Sequence, residues 1–112
     1  MQLLVAVINH EEQLDDVLAG FVELGITGAT VLRSEGMGHV LSQDVPIFAG
    51  VRSLTARSRP TNLTVLSAVD DGKVDAAIAM IQEVCGSLDA PGAGIVFTIP
   101  IGRVVGLKAE LE

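Results

Sequence analysis

Cysteine and the larger aromatic residues are scarce in this sequence. The chain of 112 residues contains one cysteine, three phenylalanines and neither tryptophan nor tyrosine. A single thiol, Cys85, cannot form an internal disulfide, and without a Cys-x-x-Cys pair the usual ligands of a structural zinc or thiol redox site are missing. Three phenylalanines also give no aromatic stripe on which nucleic-acid bases would stack. We therefore expect a reducing, cytoplasmic setting and no metal site.

Basic residues are also few. Seven lysines and arginines stand against 14 aspartates and glutamates, so the formal net charge is −7. This balance argues against a nucleic-acid partner, because phosphate binding needs clustered basic residues. Three of the seven, Arg52, Arg57 and Arg59, lie in residues 36–61, where Asp44 is the only acid. That segment suits an anionic ligand or an acidic partner surface, or its arginines only keep a loop in solution.

Long hydrophobic runs are the third absence. Apolar residues make up 49% of the chain, but no uninterrupted run approaches the roughly 20 residues that span a bilayer. The first residues, Met1 to Leu4, lack the basic segment and cleavage site of a signal peptide. We expect no membrane insertion and one domain over residues 1–112, since this length supports a single core.

Two segments repeat apolar residues at helical spacing. In residues 11–24 the repeated positions are Leu14, Val17, Leu18, Phe21 and Leu24. Carboxylates near the start and a glycine after the end are typical helix boundaries. In the second helix the repeated positions are Val74, Ile78, Ile81 and Cys85, and the pattern predicts capping by Asp70 or Asp71 and an end at Gly86.

Four apolar segments are typical of strands, at residues 3–8, 29–34, 62–69 and 95–99. Together with the helices they give the order β-α-β-β-α-β. This order predicts a ferredoxin-like α+β fold, a four-stranded antiparallel sheet with two helices on one face. Residues 3–8 and 62–69 are apolar at nearly every position, which favours burial on both faces of the sheet and hence a homo-oligomer.

Glycine-rich segments surround the long irregular stretch at about residues 36–61. They are Gly25-Ile26-Thr27-Gly28-Ala29-Thr30-Val31, Glu35-Gly36-Met37-Gly38 and, before the last strand, Gly92-Ala93-Gly94. An irregular loop this long inside a compact domain usually has a function. Successive backbone N–H groups in glycine-rich turns form concavities that bind anions. We therefore expect the function to reside in this loop and its base.

These segments resemble the P-II signal-transduction proteins, which report nitrogen and energy status. The resemblance continues in order along most of the chain, through Leu14-Asp15-Asp16-Val17, Val69-Asp70-Asp71 and Phe97-Thr98-Ile99-Pro100. It implies a homotrimer that binds an adenine nucleotide in clefts between subunits and docks on a target protein through the long loop. It implies a regulatory protein rather than an enzyme, with an effector instead of a cofactor and with no catalytic residues.

The resemblance also implies which residues form the cleft. The base of the long loop and the second glycine loop of one subunit contribute Gly36, Met37, Gly38, His39, Gly92, Ala93 and Gly94. The neighbouring subunit adds Gly28, Thr30 and Arg103.

The sequence departs from the family pattern at three points. Ile95 replaces the lysine that ATP-binding members have after the second glycine loop, only Arg103 and Lys108 stand where they have a pair of arginines, and the tyrosine that some members modify is absent. These departures indicate a divergent member with a smaller or different ligand, such as a nucleoside monophosphate, a cyclic nucleotide or another small anion.

Plainer interpretations remain for the same residues. Gly36 and Gly38 could simply end a strand and release the loop, residues 92–94 could be a helix-to-strand connection, and His39 could be a solvated loop residue. The alternative function is a ferredoxin-like module that binds a small metabolite, or a structural trimer with a vestigial nucleotide site. Ile95 and the reduced set of C-terminal cations favour this alternative.

Overall fold

The computed structural model describes residues 1–37, 62–89 and 92–107. Within them the elements are β1 (Gln2–Ile8), α1 (Leu14–Glu23), β2 (Thr30–Ser34), β3 (Asn62–Val69), α2 (Val74–Cys85) and β4 (Ile95–Pro100). A short 3-10 turn precedes each helix, at Glu11–Gln13 and at Asp71–Lys73. The predicted β-α-β-β-α-β order is confirmed.

The four strands form one antiparallel sheet in the order β2-β3-β1-β4. The two central strands, β1 and β3, pair along their whole length, from Gln2 opposite Val69 to Ile8 opposite Leu63. The shorter β2 and β4 are the two edges. This architecture confirms the predicted ferredoxin-like α+β fold. No helix in the described ranges is long and apolar enough to cross a membrane.

The hydrophobic core lies between one face of the sheet and the two helices. Alternate residues of β3 are buried, as the two-residue period of a strand requires. The helices contribute the residues of the predicted apolar stripes, which include Val17, Phe21 and Ile81. The largest side chains buried at this interface are Phe21, Leu4, Ile8, Ile81, Val17, Val65 and Val69. Each contributes on the order of 1.5–3 kcal/mol to the free energy of folding.

The other face of the sheet is also apolar. Residues directly opposite in an antiparallel pair share a face, and β1 places Leu3, Val5 and Val7 opposite three residues of β4, Ile99, Phe97 and Ile95. These β4 side chains remain 48%, 43% and 54% exposed. An antiparallel sheet with a solvated face normally alternates apolar and polar residues. This face, which we call the open face, therefore has the composition of a surface that is covered.

The ends of the helices confirm one prediction and correct another. Gly25 and Gly86 follow α1 and α2 with positive φ of 79° and 81°, values that favour glycine, and the ψ of −177° at Gly86 is one that essentially only glycine adopts. The prediction that Asp70 or Asp71 caps α2 is wrong. A 3-10 turn intervenes, and within it the Lys73 N–H donates to the Asp70 backbone oxygen at 2.9 Å, without a side-chain cap.

The Asp71 carboxylate instead contacts the N-terminal ammonium group, with 3.2 Å between nitrogen and oxygen. A hydrogen bond from this ammonium, a second from Gln2 and the positive charge itself hold the pKa of Asp71 below its usual value. The contact joins the start of β1 to the turn that leads into α2 at the protein surface.

Candidate functional site

The predicted binding residues fall into two groups at opposite ends of the sheet. Gly36 and Met37 follow β2, and residues 92–94 precede β4, so both lie at the same end of the sheet, which we call the loop end. Gly28 precedes β2, Thr30 begins it and Arg103 follows β4, which places these three residues at the other end, the turn end. Gly38 and His39 lie outside the described residues, as do the three arginines of residues 36–61.

One chain does not bring the two groups around a single small ligand. Thr30 and Gly36 are six residues apart along an extended strand, and at about 3.4 Å per residue they are separated by roughly 20 Å. At the loop end itself, Gly36 and Gly94 flank opposite edges of the sheet. Three spacings between strands separate those edges by about 14 Å.

The second glycine turn is held tightly against the end of β1. The Asn9 side-chain amide donates a hydrogen bond of 2.9 Å to the Gly92 carbonyl oxygen. Gly94 has a φ of 121°, and a methyl group there would lie 2.5 Å from the carbonyl oxygen of Val7. Only glycine fits such a position, so the turn is more than a loose connection between α2 and β4.

The base of the long loop is joined by side-chain hydrogen bonds. The Ser34 hydroxyl, at the end of β2, contacts the Asn62 side-chain oxygen and lies 2.8 Å from the Thr64 hydroxyl. Gly36 follows directly and has open space around it, since a methyl group added there would have the Asn62 amide nitrogen as its nearest neighbour, at 3.9 Å. A ligand could therefore approach the Gly36 backbone closely.

The turn end contains a cleft of about 230 Å³ between the α1–β2 connection and the end of β3. Its lining residues are Met1, Gly25, Ile26, Thr27, Gly28, Ala68, Val69, Asp70, Lys73 and Leu107. Ser67, only 3% exposed, donates a hydrogen bond of 2.6 Å to the Gly28 carbonyl oxygen. The segment after β4 begins with a hydrogen bond of 3.1 Å from the Ile101 N–H to the Met1 carbonyl oxygen.

Comparison with protein-family models matches residues 1–110 to the family described as Nitrogen regulatory protein P-II. The chain belongs to the P-II family. No curated protein matches the chain at a significant level. Membership in the P-II family confirms the resemblance seen in the glycine-rich segments and makes the chain a PII-like signal-transduction regulator. Members of this family are regulatory proteins, not enzymes.

In the described part of this P-II protein, the two positions that the family pattern links to cations differ in character. Ile95 occupies the start of β4, where it is 54% exposed on the open face, and Arg103 is exposed beyond the end of β4. In the ranges that the structure describes, no three His, Cys, Asp or Glu side chains are grouped as metal ligands would be.

Sequence reasoning missed two residues at the turn end of this P-II protein. Lys73 has its ammonium nitrogen 3.4 Å from the Gly25 carbonyl oxygen, although in the sequence it reads only as a charged residue near the start of a helix. Ser67 reads as an ordinary position of an apolar strand. Its polar character at a core-facing position was the one signal that could have found it, because a buried hydroxyl needs a hydrogen-bond partner.

Replacing Ser67 with alanine should lower the free energy of unfolding by about 1–2 kcal/mol, because the part-buried Gly28 carbonyl oxygen loses its donor. Urea unfolding at fixed protein concentration measures the change. Ser87→Ala is the matched control, since Ser87 is exposed and its hydroxyl accepts only a long contact of 3.3 Å from the Asp89 N–H. Equal effects of the two variants would show that the Ser67 hydrogen bond does not hold the turn.

Proposed function

We propose that the chain functions as a homotrimer that binds a small anionic effector in clefts between its subunits. The effector we favour is an adenine nucleotide with few phosphates. The loop at residues 36–61 then acts on a partner protein. Membership in a family of signal-transduction regulators supports the general role.

The main support for this proposal is that the predicted binding residues lie at two opposite ends of the sheet. Gly36 and Gly94 at the loop end and Gly28 at the turn end belong to the same predicted site, yet about 20 Å separates the two ends of one sheet. Two copies that meet loop end to turn end would supply both groups to one ligand. A cleft between subunits therefore explains why one site draws on residues so far apart.

The apolar open face supports the oligomer. A contiguous apolar surface on a monomer usually marks an interaction site. Here the row that crosses the sheet is Thr30, Leu66, Val5 and Phe97, and the next row is Leu32, Thr64, Val7 and Ile95. Because both rows run across all four strands, the covering surface must be broad. Two further copies present faces of the same size and polarity, so three open faces around a three-fold axis can cover one another.

The choice of effector follows from the charges. The chain has a formal net charge of −7, and Ile95 rather than a cation stands next to the second glycine turn. The overall negative charge disfavours a triphosphate, and no cation stands at the Ile95 position to offset it. Glycine-turn N–H groups bind a singly or doubly charged group without needing a basic cluster.

We expect AMP or cyclic AMP to raise the melting temperature of the purified protein more than ATP does. Ligand at one hundred times its dissociation constant stabilises a one-site protein by about 2.7 kcal/mol, which a thermal-shift measurement detects easily. The panel includes ADP, ATP, 2-oxoglutarate and bicarbonate, so that other small anions are compared directly.

Gly36→Val provides the control for the site. Its position has room for a side chain, so the melting temperature without ligand should stay near that of the wild type, while the response to AMP should disappear. A panel in which no nucleotide changes the melting temperature would exclude the nucleotide effector.

The alternative is a structural trimer whose nucleotide site is vestigial. The exposed Ile95 favours it, because an apolar side chain at this position contributes nothing to anion binding. This protein would have the trimer mass in light scattering but no response to any member of the ligand panel.

A further inference from the structure

The turn-end cleft contains a positive charge that no family pattern assigned. Lys73 lines this cleft together with the Gly25–Gly28 turn. Its ammonium nitrogen lies 3.4 Å from the Gly25 carbonyl oxygen, and a methyl group on Gly25 would come within 2.8 Å of that nitrogen. The absence of a side chain at Gly25 therefore admits the ammonium group to the edge of the cleft.

Lys73 retains most of its hydrogen-bonding capacity. An ammonium group has three N–H donors, and the one long bond to Gly25 uses a single donor. Among the described residues, no carboxylate oxygen lies within 4.0 Å of the Lys73 nitrogen. By contrast, Arg33 contacts the Glu11 carboxylate at 2.8 Å. Lys73 thus faces the cleft with donors left for a ligand or for water.

Two other charged groups, the Met1 ammonium group and the Asp70 carboxylate, lie around the cleft. Met1 lines it, but the Met1 ammonium group contacts Asp71. Asp70 also lines the cleft and brings one carboxylate that is not paired with Lys73. An anion in the cleft would be attracted by Lys73 and repelled by Asp70. This opposition favours a group of low charge over a polyphosphate.

We propose that Lys73 binds the anionic group of the effector in the turn-end cleft, next to the Gly25–Gly28 turn. The inference rests on the proposed function, since Gly28 belongs to both the predicted effector site and this cleft. The ligand class is a small molecule with a phosphate or carboxylate group of low charge. Lys73 supplies there the charge-assisted hydrogen bond that Ile95 cannot supply at the loop end.

The test compares AMP with adenosine by isothermal titration calorimetry on the full chain. In the wild type, AMP should bind more tightly than adenosine, because only AMP carries an anionic group. Lys73→Gln should weaken AMP binding about tenfold, the size of one charge-assisted hydrogen bond at a partly exposed position. Adenosine affinity should not change. Asp70→Asn should strengthen AMP binding and leave adenosine binding unaffected, since it removes the repulsion.

Arg33→Gln is the matched control, because Arg33 is an exposed cation with a carboxylate partner outside the cleft. It should leave both affinities at their wild-type values. If Lys73→Gln retains the full preference for AMP, the inference is overturned, whatever the nucleotide affinity of the wild type. If Asp70→Asn weakens AMP binding, Asp70 contacts the ligand directly, and a purely anionic ligand in this cleft is excluded.

A second experiment tests the inference independently of the proposed function. If the wild type binds no nucleotide, the nucleotide effector is wrong, and inorganic phosphate and acetate then become the probes. Phosphate or acetate should shift the amide resonances of residues 25–28 in nuclear magnetic resonance spectra of the wild type but not of Lys73→Gln. Equal shifts in the two proteins, or none in the wild type, would show that Lys73 does not bind an anion.

Discussion

Gly94→Ala is expected to lower the free energy of unfolding by about 3 kcal/mol or more, an effect unusually large for the addition of one methyl group. Two costs act together. The φ of 121° at Gly94 is one that residues with a side chain rarely adopt, and the new methyl group would lie 2.5 Å from the Val7 carbonyl oxygen. That oxygen belongs to the backbone of β1, so it cannot rotate away as a flexible side chain would. Thermal unfolding at fixed protein concentration measures the loss.

Substitutions at two other glycines distinguish the conformational cost from the cost of the close contact. Gly86 also has a positive φ, 81°, but a methyl group added there would have no atom within 4 Å. Gly86→Ala should therefore report the conformational cost alone, on the order of 1–3 kcal/mol. Gly28 has neither a positive φ nor a neighbour within 4 Å of an added methyl group, so Gly28→Ala should be close to neutral. If Gly94→Ala and Gly86→Ala cost the same, the close approach to Val7 does not limit the turn.

The order of helices and strands was predictable because the spacing of apolar residues differs between a helix and a strand. Phe21 and Val17 recur at helical spacing, and they are buried where α1 meets the sheet. The residues of β1 are continuously apolar from Leu3 to Ile8, β3 is apolar at most positions, and both strands are central. Turn glycines such as Gly25 could also be assigned from sequence, because their role depends on local backbone geometry.

The interactions that hold the site were not predictable in the same way. Lys73 and Gly25 are far apart in sequence and meet only because α2 and the end of α1 lie side by side, and the same holds for Ser67 and Gly28. The capping prediction for Asp70 and Asp71 failed for a related reason. A nearby ammonium group and a 3-10 turn satisfied the groups that a simple N-cap would have joined. Long-range pairing leaves little trace in local sequence patterns.

The site residues were assigned from the family pattern and stay a prediction, to which the fold adds a geometric condition. The distance between Gly28 and Gly36 could not be predicted from the sequence, whereas in the structure they lie at opposite ends of the sheet. A site that includes both therefore requires a second copy. Effector binding at such a site depends on oligomerisation. A substitution on the open face therefore tests both.

Phe97→Asp is expected to convert the oligomer to monomers. Phe97 lies in the middle of β4 opposite Val5, on the open face, and is 43% exposed in the single chain. In a trimer that buries this face, an aspartate would place an unpaired charge in an apolar interface, at a cost of several kcal/mol for each subunit. Light scattering at micromolar concentration should give the trimer mass for the wild type and the monomer mass for the variant.

Val22→Asp is the matched control, because Val22 is a similarly exposed apolar residue (47%) on α1, which packs on the opposite face of the sheet. It should keep the wild-type mass, as should Phe97→Leu, which preserves the apolar surface. A Phe97→Asp variant with unchanged mass would show that the open face is not the interface. Its circular dichroism spectrum confirms that the variant still folds.

The same variant separates the oligomer from the ligand. Phe97 belongs to neither group of predicted binding residues, so a monomer should lose AMP binding only because Gly28 of one copy no longer meets Gly36 of another. A folded monomer that binds AMP with wild-type affinity would place the whole site within one chain, with the cleft beside Lys73 as the pocket to test next. In that case the nucleotide effector would stand, and the cleft between subunits would be wrong.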